Sequence, residues 1–171
     1  VEEGRLPDGK LYVFPFAKST EALFLNQTLF NRFSAATGLT AASLSTFEGI
    51  AGAATQYYRW IDEQTPDVPN DGKALFAIDS FFNLAQIGME QMGGSLFDGE
   101  KLRLDTPEFE RIWNAFFEAA VKGGYALYDG YSSDLSKTGD VLCSIGSTAG
   151  ILFYGEEITY PNNVKEKVEY A

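Results

Sequence analysis

The sequence contains no histidine and only one cysteine among its 171 residues. Without imidazole, the chain has no Ser-His-Asp triad, no histidine general base and none of the usual histidine-based zinc or iron sites. A single cysteine excludes an intrachain disulfide, so cysteine pairing does not indicate the compartment. Cys143 lies in the apolar run 141–145, which predicts a buried strand with the thiol as a small core group.

Positive charge is also scarce, with 13 lysines and arginines against 24 aspartates and glutamates and a formal net charge of −11. Phosphate neutralisation needs many basic groups on one face, so we expect no nucleic-acid partner. The same charge disfavours binding to anionic lipid. The sequence contains neither a run of about 18 apolar residues nor a leader in which an apolar stretch follows positive charges, so it predicts no membrane span and no signal peptide within it.

Apolar residues make up 45% of the sequence and aromatic residues 15%. A chain of this length buries about 70% of its unfolded surface in one core, so we expect a single globular unit over residues 1–171. The first residue is Val1 rather than methionine. We therefore expect a processed chain or part of a longer one.

Apolar periodicity and turn residues predict an alternation of strands and helices. Strands are predicted over residues 11–16, 21–26, 73–78, 141–145 and 168–170, with a small hairpin over 96–104. Helices are predicted over residues 28–37, 47–65, 82–92, 107–122 and 149–154. Residues 66–72 form a predicted Pro- and Gly-rich loop, and 125–137 a polar, tyrosine-rich segment. This pattern predicts an α/β fold, a small mixed sheet flanked by helices.

Polar side chains at the predicted helix starts are typical capping residues. Ser45 with Glu48 matches a capping box, and Thr106 precedes a proline at the first position of its helix. Asp79 or Ser80 is a natural cap for the helix that follows the strand 73–78.

Three polar loops follow predicted strands and are the candidate ligand surface. In α/β sheets, ligands bind where strand ends, loops and helix amino termini converge. Tyr128 adds a candidate stacking ring from the tyrosine-rich segment. The predicted ligand residues are Lys18, Ser19, Thr20, Asp79, Ser80, Phe81, Phe82, Tyr128, Gly146, Ser147 and Thr148.

Each of these loops also has a purely structural interpretation. Phe81 and Phe82 are either ligand-stacking rings or core residues, and Asp79 either contacts ligand or caps a helix. The loop 146–148 is either an anion site at a helix amino terminus or a plain helix cap. Lys18 either contributes positive charge to such a site or is simply solvated. The sequence leaves these alternatives open.

Several segments resemble landmarks of family 1 extracellular solute-binding proteins, in the same order along the chain. Residues 9–30 resemble a Gly-Lys-hydrophobic-Tyr, Pro-Phe, Ser-Thr, Asn and Leu-Phe pattern, and 45–48 lie where that family has a Thr-Trp-Asp-Glu helix start. Residues 93–97, 106–109 and 139–147 resemble its Gly-Gly-x-Leu-Phe, Ser-Pro-Glu and Gly-Lys-Val-Ala-Met landmarks. Phe47 replaces the usual tryptophan and Leu142-Cys143 the usual Ala-Met.

This resemblance implies the fold, partners and location of the chain. The family comprises substrate-capturing components of ABC importers, including maltose- and glycerol-3-phosphate-binding proteins, in which two α/β lobes close on a solute. The matched part resembles the second lobe of this periplasmic-binding-protein type II fold, without the first lobe and the C-terminal helices. The resemblance further implies an extracytoplasmic, periplasmic or lipid-anchored location, ABC permease partners, no cofactor and no catalysis.

Two solute classes and two other functional classes stay open. A carbohydrate suits hydroxyl and carboxylate groups beside flat rings. A phosphorylated polyol such as glycerol-3-phosphate suits the free amides and hydroxyls of the loop 146–148. A carbohydrate-active enzyme needs two carboxylates across a cleft, which a sequence rich in acids does not place. A protein-interaction module would use the acidic surface to bind a basic partner.

Overall fold

The computed structural model describes residues 2–68, 71 and 73–171; Pro69, Asn70 and Gly72 of the predicted loop lie outside the described residues. The α-helices are α1 (Gln27–Thr37), α2 (Phe47–Asp62), α3 (Phe81–Gln91), α4 (Pro107–Val121) and α5 (Ser132–Thr138). The strands are β1 (Glu21–Leu25), β2 (Ala74–Ile78), β3 (Phe97–Asp98), β4 (Lys101–Leu102), β5 (Tyr125–Ala126), β6 (Val141–Ser147), β7 (Glu157–Thr159) and β8 (Lys165–Lys167). Short 3-10 helices cover Glu2–Gly4, Ala41–Leu44 and Thr148–Phe153.

Four strands form the central sheet in the order β1-β6-β2-β5. Strand β1 is antiparallel to β6, whereas β2 runs parallel to both β6 and β5, so the sheet is mixed as predicted. The register places Cys143 between Phe76 and Leu25, and Ser144 beside Ala77. Because successive side chains of a strand point to opposite faces, Cys143 and Ser144 belong to different faces of the sheet.

The face that carries Phe76 and Cys143 packs against helices α2, α3 and α4. The ring of Phe76 lies 5.6 Å from that of Phe116 in α4. Gly88 of α3 lets α4 approach closely, because a Cβ atom there would lie 2.8 Å from the Cδ1 atom of Ile112. Cys143 is buried and free, and its burial raises the pKa of the thiol, as expected for an inert core group.

The opposite face is covered by α5, the 3-10 helix Thr148–Phe153 and the hairpin β7–β8. Tyr154 stacks on Phe24 with 4.5 Å between ring centroids. Its hydroxyl forms hydrogen bonds with Ser144 Oγ at 2.5 Å and Ser132 Oγ at 3.1 Å. Burial raises the pKa of the Tyr154 phenol, so the group stays neutral while it joins β6 to α5.

The predicted strand over 11–16 is wrong. Leu11 forms one isolated bridge with Arg5, and Phe14 and Phe16 are exposed. The run has the composition of a strand, yet within the described part of the chain it belongs to no strand, so local propensity alone does not make it one.

Four other local predictions need correction. Thr46 rather than Ser45 caps α2 by accepting a hydrogen bond from Gly49 N at 3.1 Å, and Glu48 pairs with Arg111 instead of completing a capping box. The segment 125–137 contains β5 and most of α5, which were missed because both are short. The predicted helix over 149–154 is a 3-10 helix. The predicted strand over 168–170 is displaced to β8, which pairs with β7.

In the part of the chain that the structure describes, none of the helices combines the length and apolar character needed to cross a bilayer.

Candidate functional site

One edge of the central sheet gathers an end of each of its four strands. Strands β6, β2 and β5 end there, and the antiparallel β1 begins there. Four segments lie at this edge: 18–20 before β1, 79–82 at the junction of β2 and α3, 127–131 after β5, and 146–148 at the junction of β6 and the 3-10 helix. We refer to them together as the loop edge. The predicted ligand residues come from all four loops, so the fold brings distant parts of the sequence to the same end of the sheet.

The first and last of these loops are joined by hydrogen bonds. Thr148 N donates to Thr20 O at 2.8 Å, and Thr20 N donates to Thr148 Oγ1 at 3.3 Å. Ser147 Oγ accepts from Ala149 N at 3.2 Å and so caps the 3-10 helix. The geometry of Ser147 therefore matches the helix-cap interpretation of this loop.

Asp79 connects two elements of the loop edge. Its Oδ1 atom accepts a hydrogen bond from Ser132 N at 2.7 Å, which ties the end of β2 to the start of α5. The cap of α3 is Ser80, whose Oγ accepts from Asn83 N at 3.2 Å. The cap interpretation of Asp79 is therefore wrong, and its carboxylate holds the loop that carries Tyr128.

Gly146 makes room for this carboxylate. A Cβ atom at position 146 would lie 2.4 Å from Asp79 Oδ2, well inside van der Waals contact. A larger residue would therefore displace Asp79 or shift β6. The absence of a side chain explains why glycine suits this position, and gives Gly146 a positioning role at the edge.

Sequence reasoning missed one polar contact near the loop edge. Asn83 Nδ2 donates to Glu21 Oε1 at 3.0 Å, linking α3 to β1. Asn83 lies in the first turn of α3 and Glu21 at the start of β1, and no local motif relates them. Only the sheet order, which places β1 two strands from β2, brings the pair together.

The aromatic residues Phe81 and Phe82 lie at the start of α3 and remain 40% and 52% exposed. The core interpretation of these two rings is therefore wrong. Phe81 meets Trp113 edge to face at 6.3 Å, and Phe82 lies 6.2 Å from Phe97. Tyr128 is also exposed at the loop edge. These rings retain free surface for a ligand.

The loop edge has one lysine, and the other charged groups at this end of the sheet are carboxylates. Lys18 Nζ lies 2.5 Å from Glu3 Oε1, and this hydrogen bond and ion pair lower the pKa of Glu3. The charge of Lys18 is therefore engaged locally. Asp79 and Glu21 add carboxylates to the same end of the sheet, which would repel a phosphate group.

A groove of about 380 Å³ lies beside β1, between α3 and the start of α2, and is lined by Leu23, Phe47, Leu84 and Met92 among others. None of the predicted ligand residues lines this groove. Among the described residues, no group of acidic or cysteine side chains is arranged to hold a metal ion.

No protein-family model matches this chain, and no curated protein matches it in sequence. A solved structure, UgpB from Mycobacterium tuberculosis in complex with glycerophosphocholine, is similar to it with a TM-score of 0.67 and 16% sequence identity. The match covers 99% of this chain and 46% of the UgpB chain, so this chain spans about half the length of that protein. At this identity the similarity concerns the fold, and it confirms the predicted α/β lobe of the periplasmic-binding-protein type.

Proposed function

We propose that this chain is one lobe, over residues 1–171, of an extracytoplasmic solute-binding protein that captures a carbohydrate for an ABC importer. The observation that carries the proposal is the loop edge, where four separate segments present hydroxyls, a fixed carboxylate and exposed rings. The fold similarity to UgpB over 99% of the chain supports the same reading. The role is binding without catalysis and requires no cofactor.

The chemistry of the loop edge suits a sugar. Sugars offer hydroxyl donors and acceptors at their edges and weakly apolar C–H faces. Ser19 and Thr20 are exposed beside the hydrogen-bonded Thr148, and Phe81 and Phe82 supply ring faces. A neutral ligand also avoids repulsion from the nearby carboxylates.

The exposed rings of Phe81, Phe82 and Tyr128 at the loop edge support a two-lobed protein. Hinged closure of two domains around a ligand is a common arrangement in binding proteins. The exposed segment with Phe14 and Phe16 offers apolar surface for a further part of such a protein. A single lobe lacks half of the contacts, so we expect the isolated chain to bind its ligand weakly. The proposed protein partners are the ABC permease subunits, and the proposed location is periplasmic or lipid-anchored.

A phosphorylated polyol or glycerophosphodiester is the second candidate ligand. It is favoured by one observation, that the similar UgpB structure contains glycerophosphocholine. Lys18 is paired with Glu3 and Ser147 already caps a helix, so this lobe offers little to a phosphate group. In this alternative the phosphate would be bound mainly by another lobe.

The test is a titration of the ¹⁵N-labelled chain with maltose, glycerol-3-phosphate and glycerophosphocholine, followed by amide chemical shifts. We expect maltose to shift amides in residues 18–20, 79–82, 127–131 and 146–148, and Phe81→Ala with Phe82→Ala to weaken binding about tenfold through lost ring contacts. The matched control is Phe117→Ala with Val121→Ala, a somewhat more exposed apolar pair on α4.

Other outcomes would overturn this proposal. Shifts caused by the phosphorylated ligands alone would support the second candidate. Turnover of a chromogenic glycoside would support a carbohydrate-active enzyme. An absence of shifts with all three ligands, together with retention of a protein partner in pull-downs, would support an interaction module.

A further inference from the structure

Helix α4 carries a second apolar surface besides the one buried in the core. Phe116 belongs to its buried face, whereas Trp113, Phe117 and Val121 are 44%, 50% and 71% exposed. Together with the half-buried Phe109, these three recur every four residues and so lie in one row along the helix. We refer to the four residues as the α4 stripe, which spans about 18 Å at 1.5 Å per residue.

The rings of the α4 stripe are already ordered against one another. Trp113 and Phe117 stack with 5.0 Å between centroids and 15° between planes. Phe109 lies 6.4 Å from Trp113, and Phe81 of α3 meets the same indole edge to face. A preformed apolar row of this kind is typical of surfaces that receive the apolar face of another helix.

The amino-terminal end of the α4 stripe carries negative charge. A cavity of about 570 Å³ there is lined by Leu104, Phe109 and Trp113 together with the side chains of Asp105 and Glu110, and no lysine or arginine lines it. The apolar wall suits the methylene stem of a lysine or arginine, and the two carboxylates suit its charged end.

The basic side chains in and beside α4 do not neutralise this negative charge. Arg111 is paired with Glu48, and Lys122 is paired with Glu118 at 3.2 Å. The first turn of the helix has partial positive charge, but Thr106 Oγ1 already accepts from Phe109 N at 3.2 Å. The cavity therefore combines an apolar wall with carboxylates that these cations do not neutralise.

We propose that the α4 stripe is the docking surface for a basic amphipathic helix of a partner protein. Apolar side chains of that helix pack on Trp113, Phe117 and Val121, and a lysine or arginine reaches Asp105 and Glu110. A second copy of this chain is a poor occupant, because it would bring the same carboxylates and the same net charge of −11 to the contact. The α4 stripe meets the loop edge where Phe81 contacts Trp113. Phe117 and Val121, which the test below changes, lie outside the loop edge, so the proposal does not depend on the ligand.

The test uses the full chain with Trp60→Phe, which leaves Trp113 as the reporter of tryptophan fluorescence. The probe is a synthetic amphipathic helix of about 18 residues, with leucine on one face and lysine beside it. We expect binding to shift the Trp113 emission to shorter wavelength. Phe117→Ser and Val121→Ser should each weaken binding of the probe. The larger effect, about tenfold, is expected for Phe117→Ser, which removes an aromatic ring. Leu152→Ser, at an exposed apolar residue outside α4, is the matched control and should leave binding unchanged.

A second probe with glutamate in place of every lysine tests the charge. We expect the glutamate probe to bind at least tenfold more weakly than the lysine probe. Glu110→Gln should reduce this difference in affinity between the two probes. Equal binding of the two probes, or unchanged binding by both serine variants of the α4 stripe, would overturn the proposal. So would a dimer in sedimentation that Phe117→Ser or Val121→Ser dissociates, because the occupant would then be a second copy.

Discussion

The loop edge and the α4 stripe differ in how their exposed groups are held. At the loop edge, Asp79, Ser147 and Thr148 are fixed by hydrogen bonds to backbone N–H groups from other positions of the chain. In the α4 stripe, Trp113 and Phe117 stack on each other and leave apolar surface to solvent. We therefore expect substitutions of the hydrogen-bonded groups at the loop edge to affect folding, whereas substitutions of the exposed residues Phe117 and Val121 in the α4 stripe should affect association alone.

The largest effect is expected for Gly146→Ala. The added methyl group would lie 2.4 Å from Asp79 Oδ2, so β6 or the carboxylate must move. We expect the free energy of unfolding to fall by about 1–3 kcal/mol in urea denaturation. Gly52→Ala in α2 is the control, because nothing lies within 4 Å of its Cβ position and alanine favours a helix. Unchanged stability of Gly146→Ala would mean that the two loops are not tightly coupled.

The second-largest loss of stability is expected for Asp79→Ala. It removes the acceptor for Ser132 N, which lies 2.7 Å away, and frees the loop 127–131. We expect a loss of about 1 kcal/mol and faster hydrogen exchange of the Ser132 amide. Asp79→Asn keeps an acceptor oxygen and should lose less. If the Ser132 amide exchanges its hydrogen as slowly in both variants as in the parent, the carboxylate of Asp79 does not position this loop.

A smaller and pH-dependent effect is expected for Glu48→Gln. The hydrogen bond from Arg111 lowers the pKa of Glu48, so this pair stabilises the fold above the ordinary glutamate pKa and stops doing so as the pH falls through the lowered value. Because the pair is exposed, we expect a loss of less than about 0.5 kcal/mol at neutral pH.

Urea denaturation at neutral pH and at about pH 3 checks this dependence. The difference between Glu48→Gln and the parent should shrink in acid, where the glutamate is protonated. If the difference in the free energy of unfolding instead grows in acid, Glu48 and Arg111 are not paired as described. Arg111 would then be available to the carboxylates beside the α4 stripe.

The smallest effect is expected for Val121→Ser. The side chain is 71% exposed, and valine and serine have similar helix propensity. We expect the free energy of unfolding to stay within about 0.5 kcal/mol of the parent value, measured by urea denaturation. A loss of 2 kcal/mol or more, about four times that margin, would show that the residue is part of the core and would remove the contrast between the two regions.

Local sequence signals were sufficient where one segment determines its own conformation. The strand Ala74–Ile78 and the helix starts at Ser80 and Thr106 were predicted because apolar runs and capping side chains act over a few residues. The strand predicted over 11–16 was wrong because a strand needs a neighbour, which composition does not supply. The strand β5 and the helix α5 were missed because two and seven residues give too little periodicity.

The candidate site was likewise predicted only in part from the sequence. The segments 79–82 and 146–148 were predicted correctly from their position after strands. The segment 18–20 was predicted to follow the strand over 11–16, which does not form, and it reaches this edge because it precedes β1. The prediction that these segments bind a ligand awaits the titration. The pairing of Asp79 with Ser132, and the space that Gly146 provides for it, join residues from three elements. No spacing rule relates such positions. The sequence left open whether Phe81 and Phe82 are exposed. The exposure of Phe117 could not be predicted, because an apolar residue at helical spacing is usually buried.

The amino-acid sequence by itself determined the fold class, the acidic surface and the impossibility of imidazole chemistry, since these follow from composition and local periodicity. The tertiary structure alone decided which loops meet at one edge of the sheet and which apolar face of α4 stays outside the core. The physical reason is that strand order and helix packing depend on contacts between residues far apart in the chain, and their free energies are not properties of any single segment.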